Sequence, residues 1–176
     1  MIRTLEGMAP MLSDGAWVDE TAVVVGDVRL GEDVSVWPTT VMRGDVNTIE
    51  VAARTNIQDG TVVHVTHDGP YTPGGLATRI GADVTIGHRA IIHACTLGDR
   101  VLVGMGATVM DGAVVEDDVI VGANALVPPG KRLVSGHLYF GSPVRKAREL
   151  TDEDREQLVY SARHYVSLKQ RHEGSA

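Results

Sequence analysis

Three histidines raise the question of chemistry in this chain. His64 and His93 each follow an apolar residue, Val63 and Ile92, and His88 lies shortly before His93. Neutral imidazole nitrogens bind zinc at about 2.0–2.1 Å, and three of them with one open position make a zinc site that can activate water. Whether these rings can meet depends on the elements that carry them.

Those elements repeat. Val18, Val24, Leu30, Val36 and Met42 recur at every sixth position; Val51, Ile57 and Val63 resume the rhythm, and Ile80, Ile86 and Ile92 follow after a break. Leu97 comes one position early, then Val103, Val109, Val115, Val121 and Val127. Glycine often follows the apolar residue, as at Gly31, Gly81, Gly87, Gly98, Gly104 and Gly122. A hexad is too short for a helix and fits a short strand plus a corner. A fixed period outranks local propensity in deciding a fold. Three hexads close one triangular coil, and stacked coils form parallel sheets on three faces with the apolar residues inside.

Composition agrees. Twenty glycines among 176 residues exceed the usual share of about 7% and supply the corners. Aromatic residues are only 4%, so the core must be thin layers of Val, Ile, Leu and Ala. A formal charge of −7 argues against nucleic acid as a partner. No apolar run approaches the roughly 18 residues that span a membrane, and no basic segment with an apolar run suggests a signal peptide. Cys95 is the only cysteine, so no internal disulfide forms; it reads as packing, and the expected compartment is cytoplasmic.

The expected layout is all-β with one helix. Residues 1–15 form an N-terminal cap or arm, 16–135 the β-helix, and 136–176 a turn and a C-terminal α-helix packed on the coil or a neighbour. The rhythm stops after Pro128-Pro129-Gly130. Thr151 reads as an N-cap with Asp152, Glu153 and Asp154 in the first turn, and Leu158, Ala162, Tyr165 and Val166 form an apolar stripe. The helix is expected over roughly 152–171, with Glu173–Ala176 frayed.

Two irregularities bear on the histidines. The interval from Met42 to Ile57 is not a whole number of hexads, and is read as a corner tightened near Asn47–Glu50. The interval from Val63 to Ile92 exceeds one coil, and the excess is read as a loop protruding within Val65–Arg79. Ile92 then stacks on Val63 and His93 on His64, with backbones about 4.8 Å apart. Their rings can converge on one ion. His88 lies on the preceding face, about 13–16 Å of extended chain from His93, and makes sense as a third ligand if a neighbouring subunit supplies it. A threefold trimer would create three such shared sites. By the same counting, Arg43 and Gln58 are expected to stack. Alternatively, each histidine is a corner or surface residue.

In order, the residues are Arg43-Gly44-Asp45, Asn56-Ile57-Gln58-Asp59-Gly60, His64, Gly87-His88 and His93. Together they resemble the gamma-class carbonic anhydrases and their hexapeptide-repeat relatives over about residues 10–171. That resemblance implies a left-handed parallel β-helix of hexapeptide repeats with a C-terminal helix; the hand comes from it alone, since parallel crossovers are otherwise right-handed in about 98% of cases. It implies a homotrimer in which His64 and His93 of one chain and His88 of the next bind Zn2+ (Fe2+ or Co2+ in its place), with CO2 and bicarbonate as substrates. It further implies an inter-subunit ion pair of Arg43 and Asp45, an orienting role for Gln58, support from Asn56 and Asp59, and approach of Tyr160 from the terminal helix.

The chain departs from the family's pattern in three places. Val46 stands where a Glu follows the Arg-Gly-Asp segment, Val65–Arg79 holds Asp68 but no Glu, and Ala162 replaces a helix Asn. The family's proton-shuttling Glu is thus missing, and His67 or Asp68 is the substitute. The alternatives are acyl transfer, as in other hexapeptide-repeat enzymes that use a histidine base, and a metal-binding trimer with little hydratase activity.

Overall fold

The computed structural model describes residues 1–174. The hexad rhythm folds as a left-handed parallel β-helix of very short strands, followed by a single helix among the described residues. Most strands are only two or three residues long, one residue facing in and its neighbour out. Val63, Ile86, Ile92, Val103, Val109, Val121 and Val127 are fully buried.

The three faces stack in register. One carries Leu30, Val51, Ile80, Leu97, Val115 and Leu133. The second carries Val18, Val36, Ile57, Ile86, Val103, Val121 and Tyr139. The third carries Val24, Met42, Val63, Ile92, Val109 and Val127. Corners demand a left-handed backbone, and Asp33, Arg54, Asp83, Arg100 and Asp118 adopt it at φ values of 53–58°. Ion pairs tie these corners together, Arg54 to Asp83 and Arg100 to Asp118, both at 2.7 Å.

Both ends of the coil extend further than the rhythm suggests. Ile2–Arg3 pairs with Val24–Val25 and Met11–Leu12 with Arg29–Leu30, so the N-terminal arm adds strands to the first coil. Beyond Gly130, Leu133 stacks on Val115 and Tyr139 on Val121, so the coil continues past the point where the hexad rhythm stops. Arg145–Glu149 then pairs antiparallel with His137–Phe140. That charged, exposed strand ends the parallel ladder and protects its edge.

The segment near residues 45–48 is expanded, not tightened. Val51 stacks on Leu30 and Val63 on Met42, and each of these intervals is half a hexad longer than a regular coil. The excess bulges from the long strand Val41–Val51, where the register shifts between Gly26 and Val28. The longer insertion folds as expected into a loop, closed by Thr66 against Leu76.

The helix α1 spans Asp152–Glu173. Thr151 caps it, accepting from Asp154 N–H while the Asp154 carboxylate accepts from Thr151 N–H. Gly174 is the C-cap, so the helix stays intact through Glu173, where the sequence predicts fraying to begin; Ser175 and Ala176 lie outside the described residues. α1 lies on the second face, against Ser35–Val36, Asn56–Ile57 and Thr85–Ile86. Leu158 and Ala162 are buried, and the stripe continues to Lys169, whose ammonium is 2.8 Å from Asp33. A buried lysine is tolerated only when paired in this way. Trp37 meets Trp17 edge-on at 5.1 Å and Tyr165 at 5.4 Å, clamping the helix. Among the described residues, no helix is long and apolar enough to cross a membrane.

Candidate metal centre

Val62-Val63-His64 and Ile91-Ile92-His93 run in parallel register, so His93 stacks on His64. Alternation sends Val63 and Ile92 into the core and turns both histidines outward at the strand ends. His64 Nδ1 faces His93 Nε2 at 3.1 Å. Two ligand atoms on one tetrahedral zinc, bonded at about 2.0–2.1 Å, stand about 3.3 Å apart, so the pair fits such an ion with a small adjustment.

The far nitrogen of each ring rests on a carboxylate. His64 Nε2 is 3.0 Å from Asp45 and His93 Nδ1 is 2.7 Å from Asp111. Ionised carboxylates only accept, so the ring protons sit on those far nitrogens, and the two facing nitrogens keep their lone pairs. Burial lowers the His64 pKa below its usual value even against the pull of Asp45, which favours the neutral ligand form. Burial alone would raise the Asp45 carboxyl, but the Arg43 and His64 hydrogen bonds outweigh it and keep it below the usual range. Asp111 behaves likewise: hydrogen bonds from Thr66 and His93 overcome its burial.

The insertions build this second layer. The bulge carries Asp45 to His64, and Asn47 within it donates to the Thr66 carbonyl at the base of the loop, 3.3 Å away. Bulges commonly re-aim side chains beside active sites. Val63 stacks on Met42 in the ladder that pairs His93 with His64, so Arg43, the next residue, stacks on His64 and not on Gln58. Gln58 belongs to the second face, continuing Ile57. Within a single chain Arg43 and Asp45 already form an ion pair beside His64.

His88 stands apart. It follows Gly87 on the second face, with Nδ1 at 2.8 Å from Asp59, so the same proton logic leaves Nε2 as its open nitrogen. It lines a cavity of about 490 Å3 under α1 with Gln58, Ser161, Tyr165 and Met105. The ladder beneath Gln58 passes through Gly87, Gly104 and Gly122, which line this cavity with Leu102 and Ile120 beside them. A Cβ at Gly104 would lie 2.5 Å from Ala123 N, so no other residue fits there without a shift. Among the described residues of a single chain, no group of three or more His, Cys, Asp or Glu gathers at one point. One chain therefore presents the His64–His93 pair on one face and His88 on another.

Asn56 and Gln58 are buried side by side, Gln58 Nε2 donating to Asn56 Oδ1 at 3.0 Å. Tyr160 does not join them: it is 68% exposed and stacks on His164, because one step along the helix turns a side chain by about 100°. The helix residue that reaches this network is Ser161, 3.0 Å from Thr85 Oγ1. Sequence reading missed Ser161, Thr85 and Asp111. Only Asp111 left a signal, lying one regular coil after His93.

Comparison with known proteins agrees with this architecture. Residues 94–129 match the family described as bacterial transferase hexapeptide (six repeats). The chain is 51% identical to protein YrdA of Escherichia coli K12 over 169 residues, covering 96% of this chain and 92% of that protein. It is 44% identical to the mitochondrial gamma carbonic anhydrase 2 of Arabidopsis thaliana over 93% of this chain, spanning 59% of that longer protein. A crystal structure of a hexapeptide transferase family protein from Anaplasma phagocytophilum superposes with a TM-score of 0.88 at 43% identity, covering 96% of each chain. With the stacked coils, the histidine ladder and these relatives in agreement, the chain belongs to the gamma carbonic anhydrase-like hexapeptide-repeat proteins.

Proposed function

We propose that this protein is a gamma-type carbonic anhydrase-like metalloenzyme that interconverts CO2 and bicarbonate. In this reading it is a homotrimer, and Zn2+ (Fe2+ or Co2+ in its place) is held by His64 and His93 of one subunit and His88 of the next. The observation that carries the reading is the opposed pair of ring nitrogens 3.1 Å apart, each ring fixed from behind by a carboxylate. An ion held by three neutral imidazoles supplies a Lewis acid that brings the pKa of water toward about 7.

The chain's own groups do the rest. Asp45, Asp111 and Asp59 hold the ring protons away from the centre. Gln58 accepts a hydrogen bond from the attacking water and aligns it with CO2. The Arg43 guanidinium, close behind His64, attracts the bicarbonate anion. Proton export falls to the exposed loop, where Asp68 already accepts from Gly74 N–H at 2.7 Å and His67 is the remaining carrier.

A second reading rests on the cavity beside His88, whose volume exceeds what CO2 requires and suits a small organic molecule. There His88, oriented by Asp59, would serve as the general base of an acyl transfer. Metal analysis of the purified protein together with stopped-flow CO2 hydration decides between them. About one divalent ion per chain and hydration lost in His88→Ala support the proposal. A metal-free protein favours acyl transfer, and metal with a wild-type rate equal to that of His88→Ala leaves a structural ion in a scaffold.

A further inference from the structure

The buried amides of Asn56 and Gln58 do not end at each other. Asn56 Nδ2 lies 3.3 Å from the Val84 carbonyl, which can only accept, so that atom is fixed as the donor. The same nitrogen donates to Thr85 Oγ1 at 3.0 Å. Thr85 Oγ1 in turn lies 3.0 Å from Ser161 Oγ on α1, and either hydroxyl can donate in that contact. On the other side, Asn56 Oδ1 accepts from Gln58 Nε2. The Val84 carbonyl thus sets the sense of both amides, and Gln58 Oε1 is left as the acceptor toward the cavity. Ser161 lines that cavity together with Gln58 and His88.

We propose that Ser161 is a positioning residue: by holding Thr85 Oγ1 where it accepts from Asn56 Nδ2, it steadies the Gln58 amide with its oxygen toward the site, so that the terminal helix braces the hydrogen bonding of the catalytic cavity. The proposal deepens the carbonic anhydrase reading and rests on it for its kinetic consequence, but not for its structural one. Buried polar chains of this kind are costly when one member is lost, because the next donor has no partner. Without the Ser161 hydroxyl, Thr85 Oγ1 loses the contact that holds it against Asn56 Nδ2, and both amides gain mobility.

The test uses the full-length, metal-loaded protein with Ser161→Ala, and with Ser161→Thr, which restores the hydroxyl. The side-chain NH2 signals of Asn56 and Gln58 in a two-dimensional nitrogen–proton NMR spectrum report the relay directly. Ser161→Ala is expected to shift both pairs of signals and speed their exchange with water, and Ser161→Thr to return them toward wild type. Metal content stays unchanged, and kcat for CO2 hydration falls about fivefold in Ser161→Ala, with recovery in Ser161→Thr. Unshifted Asn56 and Gln58 signals in Ser161→Ala would overturn the relay. Shifted signals in a protein that never hydrates CO2 would uphold the relay while removing the function it was thought to serve.

Discussion

The two halves of the coil differ in regularity, and the difference tracks the chemistry. From Leu97 onward each turn is three whole hexads: Leu97 to Val115 to Leu133, and Val103 to Val121 to Tyr139. Between Met42 and Leu97 no turn keeps that length. Met42 to Val63 is half a hexad too long, Val63 to Ile92 nearly two hexads too long, and Ile80 to Leu97 one position short. All three histidines, Arg43, Asp45, Asn56 and Gln58 lie in the irregular half, and the regular half contributes Asp111. Regular turns repeat one local geometry, so every outward position resembles the one above it. An insertion breaks that equivalence and aims a particular side chain, as the bulge aims Asp45 at His64.

The sharpest test compares equivalent rungs. His93 and Met110 occupy the same ladder, one on each side of the transition. His93→Ala is expected to abolish metal binding and lower CO2 hydration by three orders of magnitude or more. Met110→Ala should leave the metal content unchanged; comparable metal loss in both would erase the contrast between the halves. Mixing His93→Ala with His88→Ala chains should restore about a quarter of the sites, since a shared site then draws each half from a different chain. No recovery on mixing would place all three ligands on one chain.

The carboxylates come next in size. Asp45→Asn, on the bulge, and Asp111→Asn, on the regular half, should each weaken metal affinity about 10- to 100-fold, measured by competition with a chelator. Equal losses would show that the regular half supports the site as strongly as the insertion does.

Away from both, effects shrink to stability. Thr151→Ala removes one half of the capping box and should cost about 1 kcal/mol, lowering Tm by roughly 2–4 °C without altering metal affinity. The Arg148 guanidinium, aided by the Thr151 N–H, holds the Asp154 carboxyl below the usual range. A depressed carboxyl stabilises the fold above its unfolded pKa, so this contribution is present at neutral pH and lost as pH falls through the folded value. Acid titration of Tm should therefore flatten in Asp154→Asn. The smallest effect is expected at Cys95, whose thiol burial pushes up to about 12. It should resist alkylation at mildly alkaline pH until the protein unfolds; rapid labelling of the native protein would place it at an opening in the coil.

Much of the site was legible because translation along a coil is arithmetic. Val63 and Ile92 differ by one coil plus a loop, and that count alone placed His93 on His64. Counting fails where two geometries share one length. The interval from Met42 to Ile57 fits a coil cut short by half a hexad, or two hexads lengthened by the same amount. Only hydrogen-bonded register separates the two. That ambiguity misplaced Arg43 beside Gln58.

The repeat in the sequence determined the triangular coil, its apolar interior and the paired histidines, because each follows from a period and its parity. The tertiary structure decided which carboxylate backs each ring, how far the coil extends and which helix residue meets the buried amides. Those contacts join positions 18, 19, 29 and 76 apart in sequence. No local pattern encodes the bulge angle or the helix rotation that brings them within hydrogen-bonding distance, and a rotation of about 100° per residue is enough to exchange Tyr160 for Ser161.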